Sequence, residues 1–153
     1  MSELSASPAP ETFRTELEVR GYELDSFGHV NHANYLHYLE TARWKMLADI
    51  DVSLETFRSL DRWTVIAALE IQYRKPILFG ERIEILSRLV EFRRSSMRIE
   101  QTIGKGGIVF AEAKVRSVVV DGKGRPAEFP EDLQMRFRAL TGSPDGNTGS
   151  STR

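Results

Sequence analysis

One long amphipathic helix pattern, set behind a single strand pattern and ahead of four more, most limits what this chain can fold into. It runs roughly over residues 33–50. Leu36, Leu39, Ala42, Met46, Leu47 and Ile50 recur at steps of mostly three and four, which gathers them on one face. His37, Thr41, Lys45 and Asp49 take the other side. Glu40 and Arg43 fall on or beside the apolar face, three residues apart, a spacing that suits an ion pair. A helix of about five turns with a single apolar stripe needs a sheet to lie on.

The flanking segments supply that sheet. Phe13, Thr15, Leu17 and Val19 alternate with Arg14, Glu16, Glu18 and Arg20, the pattern of a half-buried strand. After a connector at 51–61, with a short helix from Ser53, come four further alternations. Trp63, Val65, Ala67, Leu69, Ile71 and Tyr73 share one face of the first. Ile83, Ile85 and Leu89 mark the second, and Met97, Ile99 and Ile103 the third. Val109, Ala111, Ala113, Val115 and Val119 mark the fourth. Pro76 and Gly80 break the chain, Gly104–Gly107 reads as a hairpin turn, and Asp121–Pro126 closes the last strand. A short helix follows over 130–140. Short connections imply antiparallel neighbours. The expected class is α+β, a five-stranded antiparallel sheet wrapped around one long helix. Residues 1–11 read as a flexible arm, 12–140 as one domain, and 141–153 as a disordered Gly/Ser-rich tail. The open edges of such a sheet favour pairing with a second copy, so a homodimer is expected.

Composition excludes several classes of function. A net charge of −1 lacks the basic excess of a nucleic-acid binder. No apolar run approaches the length of a membrane span, and the N-terminal residues lack the regions of a signal peptide. With no cysteine, thiol nucleophiles, disulfides and zinc–thiolate sites are ruled out, which fits a cytoplasmic location.

The chemistry-bearing stretch is Asp25-Ser-Phe-Gly-His-Val-Asn-His-Ala-Asn-Tyr35, a polar turn that leads into the long helix. All three histidines, His29, His32 and His37, lie in or just after it, but their spacing does not make an H-E-x-x-H metal motif, and no metal or cofactor is called for. Nucleophile-elbow, phosphate-loop and dinucleotide fingerprints are absent. Asp25 is either a turn-capping aspartate or the reactive carboxylate. Thioester hydrolysis suits the second reading. A thiol with a pKa of about 8.5 leaves easily, so the site needs a carboxylate to activate water or attack, and donors for the carbonyl oxygen. Free amides at a helix start supply such donors. His32 is placed to assist or to bond nearby backbone. Asn31 or Asn34 can cap the helix. Tyr22, Asn31 and Tyr35 are candidate substrate contacts. Arg93 and Arg94, with Arg98 and Lys105, form a basic group for carrier phosphates or a solvated strand face.

The run from Val19 to Tyr35, followed by Tyr38-Leu-Glu-Thr-Ala-Arg43, resembles hotdog-fold thioesterases of the 4-hydroxybenzoyl-CoA thioesterase type. The Tyr-Glu-Leu-Asp wording is also similar to the acyl-ACP thioesterase branch related to plant methylketone synthase. The likeness extends over about residues 12–138 through the order of elements, with a weaker match at Tyr73–Gly80. It implies a hotdog fold, a homodimer that often pairs into a homotetramer, and active sites between subunits. It also implies Asp25 as catalytic carboxylate, with His32 as a helper whose backbone amide donates to the oxyanion. The substrate implied is an acyl-CoA or acyl carrier protein thioester. One departure is Gly21, where the tol-pal-associated branch has a tyrosine; Tyr22 is one residue off. Two other functions compete. Hotdog hydratases show a D-x-N-P-x-H pattern, whereas Asp25 and His32 have no proline between them. A non-catalytic acyl-thioester binding protein would release no thiol. His29 and His37 have no assigned role.

Overall fold

The computed structural model describes residues 8–143. In chain order the elements are β1 (Phe13–Glu18), a 3-10 turn (Gly21–Glu23), α1 (Asn34–Asp49), α2 (Leu54–Leu60), β2 (Trp63–Tyr73), β3 (Arg82–Arg93), β4 (Ser96–Lys105), β5 (Ile108–Val120) and α3 (Glu131–Leu140). The five strands form one antiparallel sheet, and α1 packs against it, as in the expected hotdog architecture.

Local chemistry accounts for most of these elements. Ser53 caps α2, accepting from the Thr56 N–H at 3.3 Å. The β4–β5 turn is Gly106–Gly107, with φ of 55° and 80°, left-handed values that glycine adopts without a Cβ penalty. At their inner ends the expected arm and tail meet, as the Glu11 N–H donates to the Leu140 carbonyl at 2.9 Å. The remaining residues of both, 1–7 and 144–153, lie outside the described residues.

The strand order is β1-β3-β4-β5-β2, which corrects the expectation that sequential strands are neighbours throughout. β2 pairs with β5 alone, and β3 lies three strands away. The connection over 74–81 therefore crosses the molecule beneath the start of α1. Ile77 within it is fully buried, and its carbonyl accepts from the Val30 N–H at 2.9 Å. Burial of that one apolar residue holds the crossing segment in place.

Strand faces also depart from strict alternation. Register shifts fall between Ile66 and Ala68 in β2 and between Leu89 and Glu91 in β3. Each bulge puts the alternation on one side of it out of step with that on the other. Val65 thus becomes exposed, while Phe92 turns inward.

The core has two parts. One gathers Phe57, Phe92, Phe129 and Phe137 beneath α2 and α3. The other packs Tyr35, Tyr38, Leu39 and Ala42 of α1 against Val19, Ile77, Ile83, Ile85 and Ile103. The buried stripe of α1 begins with Tyr35 and Tyr38 rather than with Leu36, which is exposed. The expected Glu40–Arg43 ion pair does not form. Arg43 donates instead to Gln101 Oε1 at 2.9 Å.

Candidate active site

The loop between the 3-10 turn and α1 is held from below. Glu23 is buried, and its carboxylate accepts from the Arg20 backbone N–H at 2.8 Å, the Arg20 guanidinium at 2.8 Å and the Tyr38 hydroxyl at 2.6 Å. Burial alone would raise its pKa, but these donors outweigh burial and hold the carboxyl below its ordinary value. Burial, followed by the Glu23 hydrogen bond, raises the Tyr38 hydroxyl far above the ordinary phenol, so it stays a donor. The Glu23 carbonyl accepts from the Asn31 N–H and from Asn34 Nδ2, both at 2.8 Å. One residue thus anchors both ends of the loop.

Above this anchor Asp25 sits half-buried. Its Oδ1 accepts from the backbone N–H groups of Phe27 at 2.9 Å and His29 at 3.3 Å, closing an Asx turn. Gly28, at φ 78°, makes the turn possible. Oδ2 accepts no hydrogen bond among the described residues. Asp25 thus closes a turn, the first of its two sequence readings: Oδ1 organises the loop and Oδ2 remains open.

The next residues form the entrance to α1. Asn31 Oδ1 accepts from the Ala33 N–H at 2.9 Å, and the Asn31 carbonyl accepts from the Asn34 N–H at 2.8 Å. Asn31 thus closes a turn just ahead of α1, with its oxygens occupied, while the N-cap itself is Ala33 and has no side-chain cap. The His32 side chain is exposed, and neither its ring nor its backbone N–H bonds to another described residue. Its carbonyl accepts from the Tyr73 hydroxyl at 2.9 Å, which ties the end of β2 to the loop. The Tyr73 ring meets Tyr35 edge-on at 4.9 Å between centroids. A free N–H just ahead of a helix, in the same loop as an open carboxylate oxygen, is the kind of donor that can hold a carbonyl oxygen while a carboxylate acts at its carbon.

The other expected contacts divide. Tyr35 is 3% exposed, so it belongs to the core, and burial raises its hydroxyl pKa. Tyr22 is 76% exposed and lies 5.1 Å beneath the Arg20 guanidinium. Arg93 and Arg94 are not brought to the loop within one chain. They sit at the opposite end of β3 from Glu81, which bonds Val19, and pair with Glu91 at 2.7 Å and Glu128 at 3.0 Å. Lys105 lies nearer, 3.7 Å from Glu81. His29 makes an isolated bridge to Leu78, and His37 Nδ1 lies 3.2 Å from Asn34 Oδ1. Glu23, Tyr38 and Tyr73 were not singled out from the sequence. Tyr38 was the most accessible of the three, since it continues the stripe of Leu39, Ala42 and Met46 at helical spacing.

The model of the thioesterase-like superfamily matches residues 19–137. The chain is similar to the long-chain acyl-CoA thioesterase FadM of Escherichia coli, 34% identical over 132 residues that cover 82% of this chain and 99% of that protein. A chloroplastic acyl-acyl carrier protein thioesterase of Arabidopsis thaliana is 28% identical over 129 residues, covering 83% of this chain and 68% of its own. Among solved structures, a Thermus thermophilus thioesterase complexed with coenzyme A and zinc is 37% identical, with a TM-score of 0.72, covering 86% of this chain and 95% of its own.

Proposed function

The chain belongs to the thioesterase-like superfamily, and we propose that it uses Asp25 to hydrolyse acyl thioesters to a free acid and a thiol. It is a thioester hydrolase of the acyl-CoA and acyl-ACP type. What supports the role of Asp25 is its divided carboxylate: Oδ1 is bound by the Phe27 and His29 amides, and Oδ2 is open.

The thioester carbonyl oxygen accepts from the His32 N–H, where the helix dipole of α1 adds positive potential. Asp25 then acts in one of two ways. As a general base it takes a proton from water, and the resulting hydroxide adds to the carbonyl carbon. As a nucleophile it adds directly, and water later opens the anhydride. In both routes the C–S bond breaks, and the sulfur leaves as a thiolate that needs little help. The exposed His32 ring contacts or orients the substrate. Tyr22 and Asn31 flank the same loop, Tyr35 supports it from the core, and Arg93 and Arg94 stand apart from it.

The working form proposed is a cytoplasmic homodimer joined through β2, with two dimers able to pair. β2 is an eleven-residue edge strand that pairs on one side only. Val65 and Ile66 are 43% and 48% exposed on it, an unprotected apolar edge that a second copy would cover. No helix among the described residues is long and apolar enough to cross a membrane. Thiol release measured over a panel of acyl-CoA and acyl carrier protein thioesters tests the reading and identifies the carrier.

A further inference from the structure

We propose that Arg43 marks the far end of the acyl site and selects chains that carry a neutral oxygen, a hydroxyl or keto group, remote from the thioester. The inference rests on the thioesterase reading above.

α1 and β2 run in opposite directions. At one end Tyr35 meets Tyr73, whose hydroxyl bonds the loop at the His32 carbonyl. At the other end Trp44 of α1 and Thr64 and Ile66 of β2 line a cavity of about 100 Å³, floored by Met97 and Ile99. The same helix and strand thus border the reactive loop and this cavity. At 1.5 Å per residue, Arg43 lies about 14 Å along α1 from Asn34. A chain running that way reaches Arg43 only if it is of medium length.

Arg43 is half-buried at the cavity. A guanidinium has five N–H donors, and among the described residues its one hydrogen bond goes to the neutral amide oxygen of Gln101. Gln101 is itself fixed, donating Nε2 to the Leu39 carbonyl at 3.0 Å and to Ser87 Oγ at 2.9 Å. The guanidinium is therefore held in place with donors to spare. Burial lowers the Arg43 pKa, and Glu40, which lines the same cavity without forming an ion pair with it, opposes that shift.

This setting discriminates among chain ends. A methyl end would strip water from the guanidinium and return no hydrogen bond. A carboxylate end is drawn to Arg43 as well, but it costs more to desolvate and meets Glu40 as a like charge, which offsets that attraction. A neutral oxygen accepts from Arg43 without repelling Glu40.

The test measures thiol release from decanoyl-, 10-hydroxydecanoyl- and decanedioyl-CoA by the full chain and by Arg43→Met. The wild-type kcat/KM should favour 10-hydroxydecanoyl over decanoyl by about tenfold, the worth of one hydrogen bond to a charged donor, with decanedioyl below 10-hydroxydecanoyl. Arg43→Met should bring the hydroxyl preference to one or below. A wild-type preference for decanoyl overturns the inference without any variant. An undiminished hydroxyl preference in Arg43→Met overturns it as well. Thiol release from decanoyl-CoA shows that the thioesterase reading stands apart from this one. Release from none of the three would remove both.

Discussion

The Tyr38 hydroxyl donates to Glu23 Oε2 across 2.6 Å in the layer beneath the Asp25 loop. Tyr38 belongs to α1 and Glu23 to the turn that precedes Asp25, so this bond sets the height of the loop against the helix. Removing it leaves a buried carboxylate short of a donor. Tyr38→Phe should therefore cost about 1.5–3 kcal/mol, the range for hydrogen bonds to charged groups. Urea unfolding read by circular dichroism checks this, and a loss under about 0.5 kcal/mol would be that of an ordinary surface change.

Glu23 also makes stability depend on acid. Its folded-state pKa is lowered, so its contribution is complete above the unfolded glutamate value of about 4.3 and is lost as pH falls through the lowered value. The urea midpoint should drop between about pH 5 and pH 3, and Glu23→Gln should flatten that part of the profile. A variant whose acid profile matches the wild type would place the linkage on other carboxylates.

In the proposed mechanism His32 contributes a backbone N–H, which any residue except proline would keep. His32→Ala should lower kcat/KM by no more than about tenfold, or 1.4 kcal/mol. A loss of a thousandfold would instead make the imidazole a principal group in the reaction, and a pH–rate profile would then show its titration.

The free edge of β2 predicts a concentration-dependent assembly. Val65 and Ile66 are exposed on a strand that pairs with β5 alone. Ile66→Lys, which places a charge on that edge, should shift sedimentation toward monomer at micromolar concentration. If the wild type is already a monomer there, β2 is not the joining edge.

Much of the fold was legible because its signals are local. The alternation of Phe13, Thr15, Leu17 and Val19 gives β1, and Ser53 marks the start of α2. The glycines at 106 and 107 place the β4–β5 turn. Strand order was not legible, because the placement of β2 beside β5 depends on where the 74–81 segment crosses, and Ile77 anchors it only through long-range burial. Bulges were hidden for a related reason, since a single extra residue leaves the apolar composition of β2 and β3 unchanged. At the site, Asp25 stood out as the single carboxylate of the histidine-bearing turn that leads into α1. Glu23 did not, since its hydroxyl partner, Tyr38, is fifteen residues away and nothing in the intervening sequence marks the pair. The Arg93 and Arg94 group stood out by charge alone, and within one chain it lies at the opposite end of β3 from the loop, paired with Glu91 and Glu128.

The central claim is that Asp25 carries the reaction, and Asp25→Asn tests it most directly. The asparagine side-chain oxygen can still accept from the Phe27 and His29 amides that bind Oδ1, so the loop keeps its shape while the charge is lost. Thiol release by this variant should show kcat/KM lowered by at least about a hundredfold, with its unfolding midpoint near that of the wild type. Hydrolysis of acyl-CoA and acyl-ACP at the wild-type rate would contradict the account.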